Sequence, residues 1–152
     1  MLARLTTSLL LALALVAQPA AAFTFVDSKG KTQSLKAYKG KWVLVNFWAT
    51  WCPPCLEEIP DLIALYDDRK NRDLAVIGVA MQYQNPKTVL EFADSMFINY
   101  PVVLGTPKLA DQVGPVRALP TSYLYNREGK LVAFRTGAIT REEIETYINQ
   151  HK

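Results

Sequence analysis

Two cysteines and one histidine are all this chain carries of the side chains that most readily hold soft metals. Cys52 and Cys55 stand three apart, which is half of a zinc site. Closing one takes two more ligands, and the single histidine is the penultimate residue, His151, so no metal is expected and no cofactor is called for. Charge of one sign is lacking too. Seventeen basic against 14 acidic residues, a net +3, argues for neither nucleic acid nor a strongly acidic partner. There is no internal repeat, no low-complexity tract and no sign of a second domain. The uninterrupted apolar stretch near the start, Leu9 to Ala17, falls short of the ~20 residues a membrane-spanning helix needs.

That stretch reads instead as an export signal over residues 1–22. Arg4 supplies the positive flank, Gln18-Pro19 ends the apolar core, and Ala20-Ala21-Ala22 gives a small-residue cleavage site before Phe23. Cleavage would leave 130 residues, enough for one domain with a real core, and 16 basic against 14 acidic side chains. The expected location is therefore periplasmic, soluble after cleavage, with an uncleaved anchor as the alternative. In such an oxidising compartment a cysteine pair drifts to the disulfide unless something reduces it.

Strand and helix signals then alternate. Phe23 to Asp27 and Thr32 to Leu35 flank the turn tetrad Ser28-Lys29-Gly30-Lys31, which predicts an N-terminal β-hairpin; Lys36 to Lys41 reads as a solvated loop. Trp42 to Trp48 and Leu74 to Met81 are continuous apolar runs, the mark of strands buried on both faces of a parallel sheet. Between them, Cys55, Ile59, Leu62, Ile63 and Tyr66 recur at helical steps from Pro53 to about Arg69, with Pro60 expected to kink the helix. A helix from Lys87 to about Phe97, a strand Tyr100 to Leu104 and a short helix Pro107 to Val113 follow. Ser122 to Asn126 and Leu131 to Arg135 read as an antiparallel pair joined at Arg127-Glu128-Gly129-Lys130. Thr140 and Glu143 form a capping box for a last helix with Ile144, Tyr147 and Ile148 on its core face. Alternating strands and helices followed by a hairpin describe a mixed sheet with helices on both faces.

The chemistry centres on the two cysteines. Thiolate is the attacking species in thiol–disulfide exchange, and a helix N-terminus stabilises it with unpaired N–H groups and a partial positive charge. Cys52 stands at that end and is expected to be the exposed nucleophile; Cys55, one turn in and partly covered, resolves the mixed disulfide. Pro53 and Pro54 are tolerated in a first helical turn, yet they remove two donors that could have stabilised the Cys52 thiolate. No cation lies between the sulfurs, so a pKa nearer ~7 than ~3.5 is expected. A dithiol so little stabilised as thiolate is a competent electron donor. A purely structural bridge is the bland alternative, but so short a loop would constrain the unfolded chain very little.

The order strand, Trp-Cys-x-x-Cys helix, strand, helix, x-Pro-Thr and hairpin resembles the exported thioredoxin-like thiol–disulfide oxidoreductases of the TlpA, ResA and DsbE group. The resemblance covers residues 23–152. It rests on Val45-Asn46-Phe47-Trp48-Ala49-Thr50-Trp51-Cys52-Pro53-Pro54-Cys55, on Val116-Arg117-Ala118-Leu119-Pro120-Thr121, on Asn126 to Lys130, and on Gly137. It implies a thioredoxin-like α/β fold, with Pro120 as a cis-proline facing the dithiol and the backbone of Leu119 free to pair with an extended substrate. Trp51, Pro53, Pro54, Leu119, Pro120 and Thr121 become the candidate substrate-contacting residues, and Cys52 and Cys55 the redox-active disulfide. Glu58 matches an acidic residue that ResA-like members place near the dithiol, and its three-residue spacing from Cys55 makes the two neighbours on one helix surface. A partly buried carboxylate there could exchange a proton with the resolving cysteine, so Glu58 is a third candidate catalytic residue. Asn46 stands where cytoplasmic thioredoxins carry a buried Asp; an amide cannot serve as a base, and a hydrogen-bonded core amide is the plainer reading. Trp48 reads either as packing or as a substrate contact.

The resemblance implies a disulfide-containing protein substrate, a membrane thiol–disulfide electron donor, and a monomer. Cytochrome c maturation is one implied setting, but DsbE-type members commonly carry Pro-Glu-Thr where this chain has Pro120-Thr121-Ser122, which points to a more general reductant. Two other functions share the fold. A copper-handling chaperone of the Sco kind would need a wider cysteine spacing and a distant histidine. A peroxiredoxin-like peroxide reductase would need Thr or Ser three residues ahead of the reactive cysteine, where this chain has Ala49.

Overall fold

The computed structural model describes residues 22–151. The expected signal segment, Ala22 apart, lies outside the described residues. Two short strands, β1 (Thr24–Val26) and β2 (Thr32–Ser34), pair antiparallel as the expected hairpin. The lysine-rich stretch after them is not simply a solvated loop: Leu35–Tyr38 makes a 3-10 turn, capped by Ser34, whose Oγ accepts the Ala37 N–H, and Leu35 is buried.

The central sheet has five strands in the order β5-β4-β3-β6-β7. Strands β3 (Trp42–Trp48), β4 (Leu74–Ala80) and β5 (Val102–Leu104) run parallel; β6 (Thr121–Tyr125) and β7 (Leu131–Thr136) join antiparallel beyond β3. Every residue of β3 and β4 is buried, as continuous apolar runs covered on both faces should be. β5 begins later than Tyr100 because Pro101 has no N–H to give to a ladder; its carbonyl still accepts the Gly78 N–H at 2.9 Å.

Four helices cover the sheet: α1 (Pro53–Arg69), α2 (Pro86–Ser95), α3 (Pro107–Ala110) and α4 (Arg141–Gln150). One face carries Val43, Val45, Phe47, Ile77, Tyr123 and Tyr125 and is closed by the hairpin residues Phe23 and Phe25, by Leu35, and by Ala110 of α3. On the other face, Leu62 and Leu65 of α1 and Ile144 and Ile148 of α4 pack on Leu44 and Val76, while Val89 and Ala93 of α2 pack near Trp48 and Ala80. Helix α3 ends at Ala110 rather than Val113; the chain leaves through turns whose Val113 and Gly114 N–H groups both return to the Ala110 carbonyl. No helix of the described residues is long and apolar enough to cross a membrane.

Candidate active site

Strand β3 delivers the chain to the site. After Trp48 it turns through Ala49-Thr50-Trp51, with the Cys52 N–H reaching back to the Ala49 carbonyl at 3.3 Å, and Cys52 becomes the N-cap of α1. Its backbone is extended and no side chain caps the helix, and of the first-turn residues Pro53 and Pro54 carry no N–H to offer a sulfur. Pro53 and Pro54 occupy the first helical positions, where a missing N–H costs the helix nothing, and the Leu56 N–H bonds to the Cys52 carbonyl at 3.2 Å. Cys52 and Cys55 are joined as a disulfide with their Cα atoms 5.2 Å apart.

The exposure expected of Cys52 is not found. It is 3% exposed and Cys55 0%, both packed in a cluster with Trp48, Ala49 and Ile59 and with Leu119 against its edge. Joined to each other, the two sulfurs spend their surface on the bridge and on these apolar neighbours. Pro53 is exposed and Pro54 half-buried above them. Trp51 projects outward, 59% exposed, and donates its indole N–H to the Gln82 carbonyl at 3.3 Å. Trp48 is wholly buried and tilts against Phe92 of α2, so it packs the core and offers nothing to a substrate.

A second loop faces the bridge. The Leu119–Pro120 peptide is cis, and Leu119 packs on the cluster that holds both cysteines. Thr121 donates its hydroxyl to the Ala118 carbonyl at 2.7 Å, and the Pro120 carbonyl accepts the Gly137 N–H at 2.8 Å. These bonds tie the loop to the ends of β6 and β7.

Glu58 lies beneath, on the sheet-facing side of α1, 3% exposed, whereas Glu57 beside it is exposed. Its Oε1 accepts a bond from Asn46 Nδ2 at 2.6 Å and its Oε2 one from the Ile139 backbone N–H at 3.0 Å. Burial dominates its titration and pushes it up to about 7, while the two donors pull the other way. Asn46 gives its second Nδ2 hydrogen to Ser122 Oγ at 3.0 Å. Burial raises the phenol of Tyr100, and the nearby charge of Glu58 raises it further. Gln82, Ile139, Tyr100 and Ser122 were not singled out from the sequence. The signal that could have found Ser122 is a polar residue opening the strand run Ser122 to Asn126.

Comparison with known proteins agrees with this geometry. The AhpC/TSA family model matches residues 16–134. The thiol–disulfide oxidoreductase ResA of Bacillus subtilis is 37% identical over 127 residues, which cover 84% of this chain and 70% of that protein. A thiol:disulfide interchange protein of the thioredoxin family from Chlorobium tepidum superposes with a TM-score of 0.78 at 31% identity, covering 87% of this chain and 94% of that one. An exposed lipoprotein thioredoxin from Streptococcus pneumoniae does so with a TM-score of 0.73 at 30% identity, covering 85% and 98%.

Proposed function

The chain belongs to the ResA-like thiol–disulfide oxidoreductases of the AhpC/TSA family, and from that premise we propose that it works outside the cytoplasm as a reductant of protein disulfides. The observation that carries the reading is the pairing of a cysteine bridge at the N-terminus of α1 with a buried carboxyl one turn further in. In the reduced protein the Cys52 thiolate attacks one sulfur of a substrate disulfide. A Cys52–substrate bond forms, and the other substrate sulfur leaves as thiolate and takes a proton. Cys55 then loses its proton to the Glu58 carboxylate and attacks Cys52. The Cys52–Cys55 bond closes and the second substrate sulfur leaves as thiolate to be protonated. Two electrons have passed from the dithiol to the substrate, and an external dithiol, in our reading a membrane donor, must restore them.

Direction follows from the dipeptide. Pro53 and Pro54 give no N–H to the Cys52 sulfur and no cation lies between the cysteines, so the reduced form is not over-stabilised. The extracytoplasmic setting is supported by the Leu9–Ala17 stretch with its flanking Arg4 and small-residue site, and by the likeness to an exposed lipoprotein. Disulfide-bearing apocytochrome c is one substrate to test; Thr121-Ser122 after the cis-proline favours a broader choice of protein disulfides. Trp51, Pro53 and the half-buried Leu119 form the docking rim, where an extended segment can lie against the Leu119 backbone, while Pro120 and Thr121, expected from the sequence as contacts, are buried behind it.

Trapping tests this assignment. Cys55→Ala should accumulate a mixed disulfide with substrate through Cys52, visible on non-reducing gels, and Cys52→Ala should form none. The reverse pattern would exchange the two roles, and absence of any adduct with Cys55→Ala would remove the reductase reading.

A further inference from the structure

A line of buried polar groups runs across the sheet under the dithiol. Glu58 comes from α1, Asn46 from β3 and Ser122 from β6, where Asn46 and Ser122 are direct partners in the antiparallel register. All three are buried: Asn46 0%, Ser122 2% and Glu58 3% exposed. Asn46 is therefore committed at both amide hydrogens, one to Glu58 Oε1 and one to Ser122 Oγ.

An asparagine amide has two nearly isosteric orientations with opposite electrostatic meaning. With Nδ2 toward Glu58 it donates and favours the carboxylate. Turned over, it presents Oδ1, which accepts a bond from a protonated carboxyl and repels an ionised one. Ser122 favours the first: with its oxygen accepting the second Nδ2 hydrogen both amide hydrogens are paired, whereas turning the amide over would carry both to the buried spot where Oδ1 now has no partner among the described residues. We propose that Ser122, acting through Asn46, is a positioning residue that sets the protonation of Glu58 and with it the pH range of the proton transfer from Cys55. The proposal rests on the thiol–disulfide reading above but is tested separately from it.

Few other groups face Glu58. Gly78 of β4, the register partner of Asn46, has no side chain, and the segment before β5 contributes the Tyr100 phenol. The segment before α4 contributes the Ile139 N–H, and α1 itself contributes Cys55. Arg135, across from Ser122 on β7, points away to Glu143 at 3.4 Å, and no ion pair reaches Glu58 among the described residues. Tyr100 and Cys55 are thus the titratable neighbours, and neither carries a charge near neutrality while the bridge is closed.

The experiment follows the Glu58 carboxyl directly by carbon-13 NMR titration of the oxidised full chain, alongside the pH profile of mixed-disulfide resolution. Ser122→Ala should move the Glu58 midpoint upward by about one pH unit, as expected for loss of one favourable hydrogen-bond orientation. Ser122→Thr, which keeps the hydroxyl, should restore it. In an Asn46→Leu background the same Ser122→Ala change should move nothing, because the intermediary is gone. An unmoved midpoint in Ser122→Ala, or an equal shift with and without Asn46, overturns the proposal. A moved midpoint with an unmoved resolution profile upholds the positioning role and overturns Glu58 as the proton acceptor. Parallel movement of both upholds the two together.

Discussion

At the scale of single residues, Glu58 ties the chemistry to a cost in stability. Its ordinary value is 4.5 and burial lifts it to about 7 in the folded chain. Between those values the folded state holds a proton that the unfolded state has released, so stability should fall as pH rises from about 4.5 to about 7 and then level off. The loss amounts to roughly 3 kcal/mol, the free energy of a shift of this size. Urea midpoints of the oxidised protein across this range should show the slope. Glu58→Gln should flatten it, provided Asn46 turns its oxygen to the new amide; an undiminished slope would move the titrating group elsewhere. The resemblance to ResA-like proteins points to Glu58, and its three-residue spacing from Cys55, which is local information, supports it. The sequence could not supply Asn46–Ser122, whose partners lie 76 residues apart and meet only when β3 and β6 pair. Nor could it foresee the burial of Cys52, which depends on the Leu119 loop arriving from beyond β5.

Elements were legible where their signals are local. The capping box at the head of α4 forms as read: Thr140 Oγ1 accepts the Glu143 N–H, and the Glu143 carboxylate accepts the Thr140 N–H at 2.9 Å. Helix α1 continues through Pro60 to Arg69, with Ile59, Leu62 and Leu65 buried on either side of the missing N–H. Leu131 to Thr136 forms the expected strand, yet its apolar composition gives no sign that β7 lies so open, with Phe134 69% exposed beside Tyr123. Edge position is decided by sheet order, which a strand's own residues do not encode. The α4 cap has a consequence at the site, since Thr140 follows Ile139, whose N–H holds Glu58. Thr140→Ala should cost about 1 kcal/mol in urea unfolding, the usual value of such a cap. It should also broaden the Ile139 amide signal as that N–H loses its fixed aim; an unchanged unfolding midpoint would show the cap to be idle.

For the whole molecule, the parallel core strands and closing hairpin could be read from runs and turns, but the order β5-β4-β3-β6-β7 required pairings between distant segments. That order places the central strand β3 directly before the cysteines and its neighbour β6 directly after the cis-proline, so dithiol and docking loop meet at one end of the sheet. The reduction potential is a property of this assembly. Two terms lower it relative to a strong oxidant: Pro53 and Pro54 withhold donors, and the neighbours of the sulfurs are apolar, so little stabilises the thiolate. Glu58 acts in the same sense once ionised, since a buried negative charge on α1 disfavours a second one nearby. The potential should therefore lie between ~−180 and ~−270 mV, well below the ~−120 mV of a strong periplasmic oxidant. Equilibration with graded glutathione buffers measures it. Pro54→His should raise it by tens of mV, because a cationic ring beside Cys52 stabilises the thiolate and so the reduced form. A wild-type value near ~−120 mV would mean that groups outside the dipeptide stabilise the thiolate, and the direction of electron flow would have to be reversed.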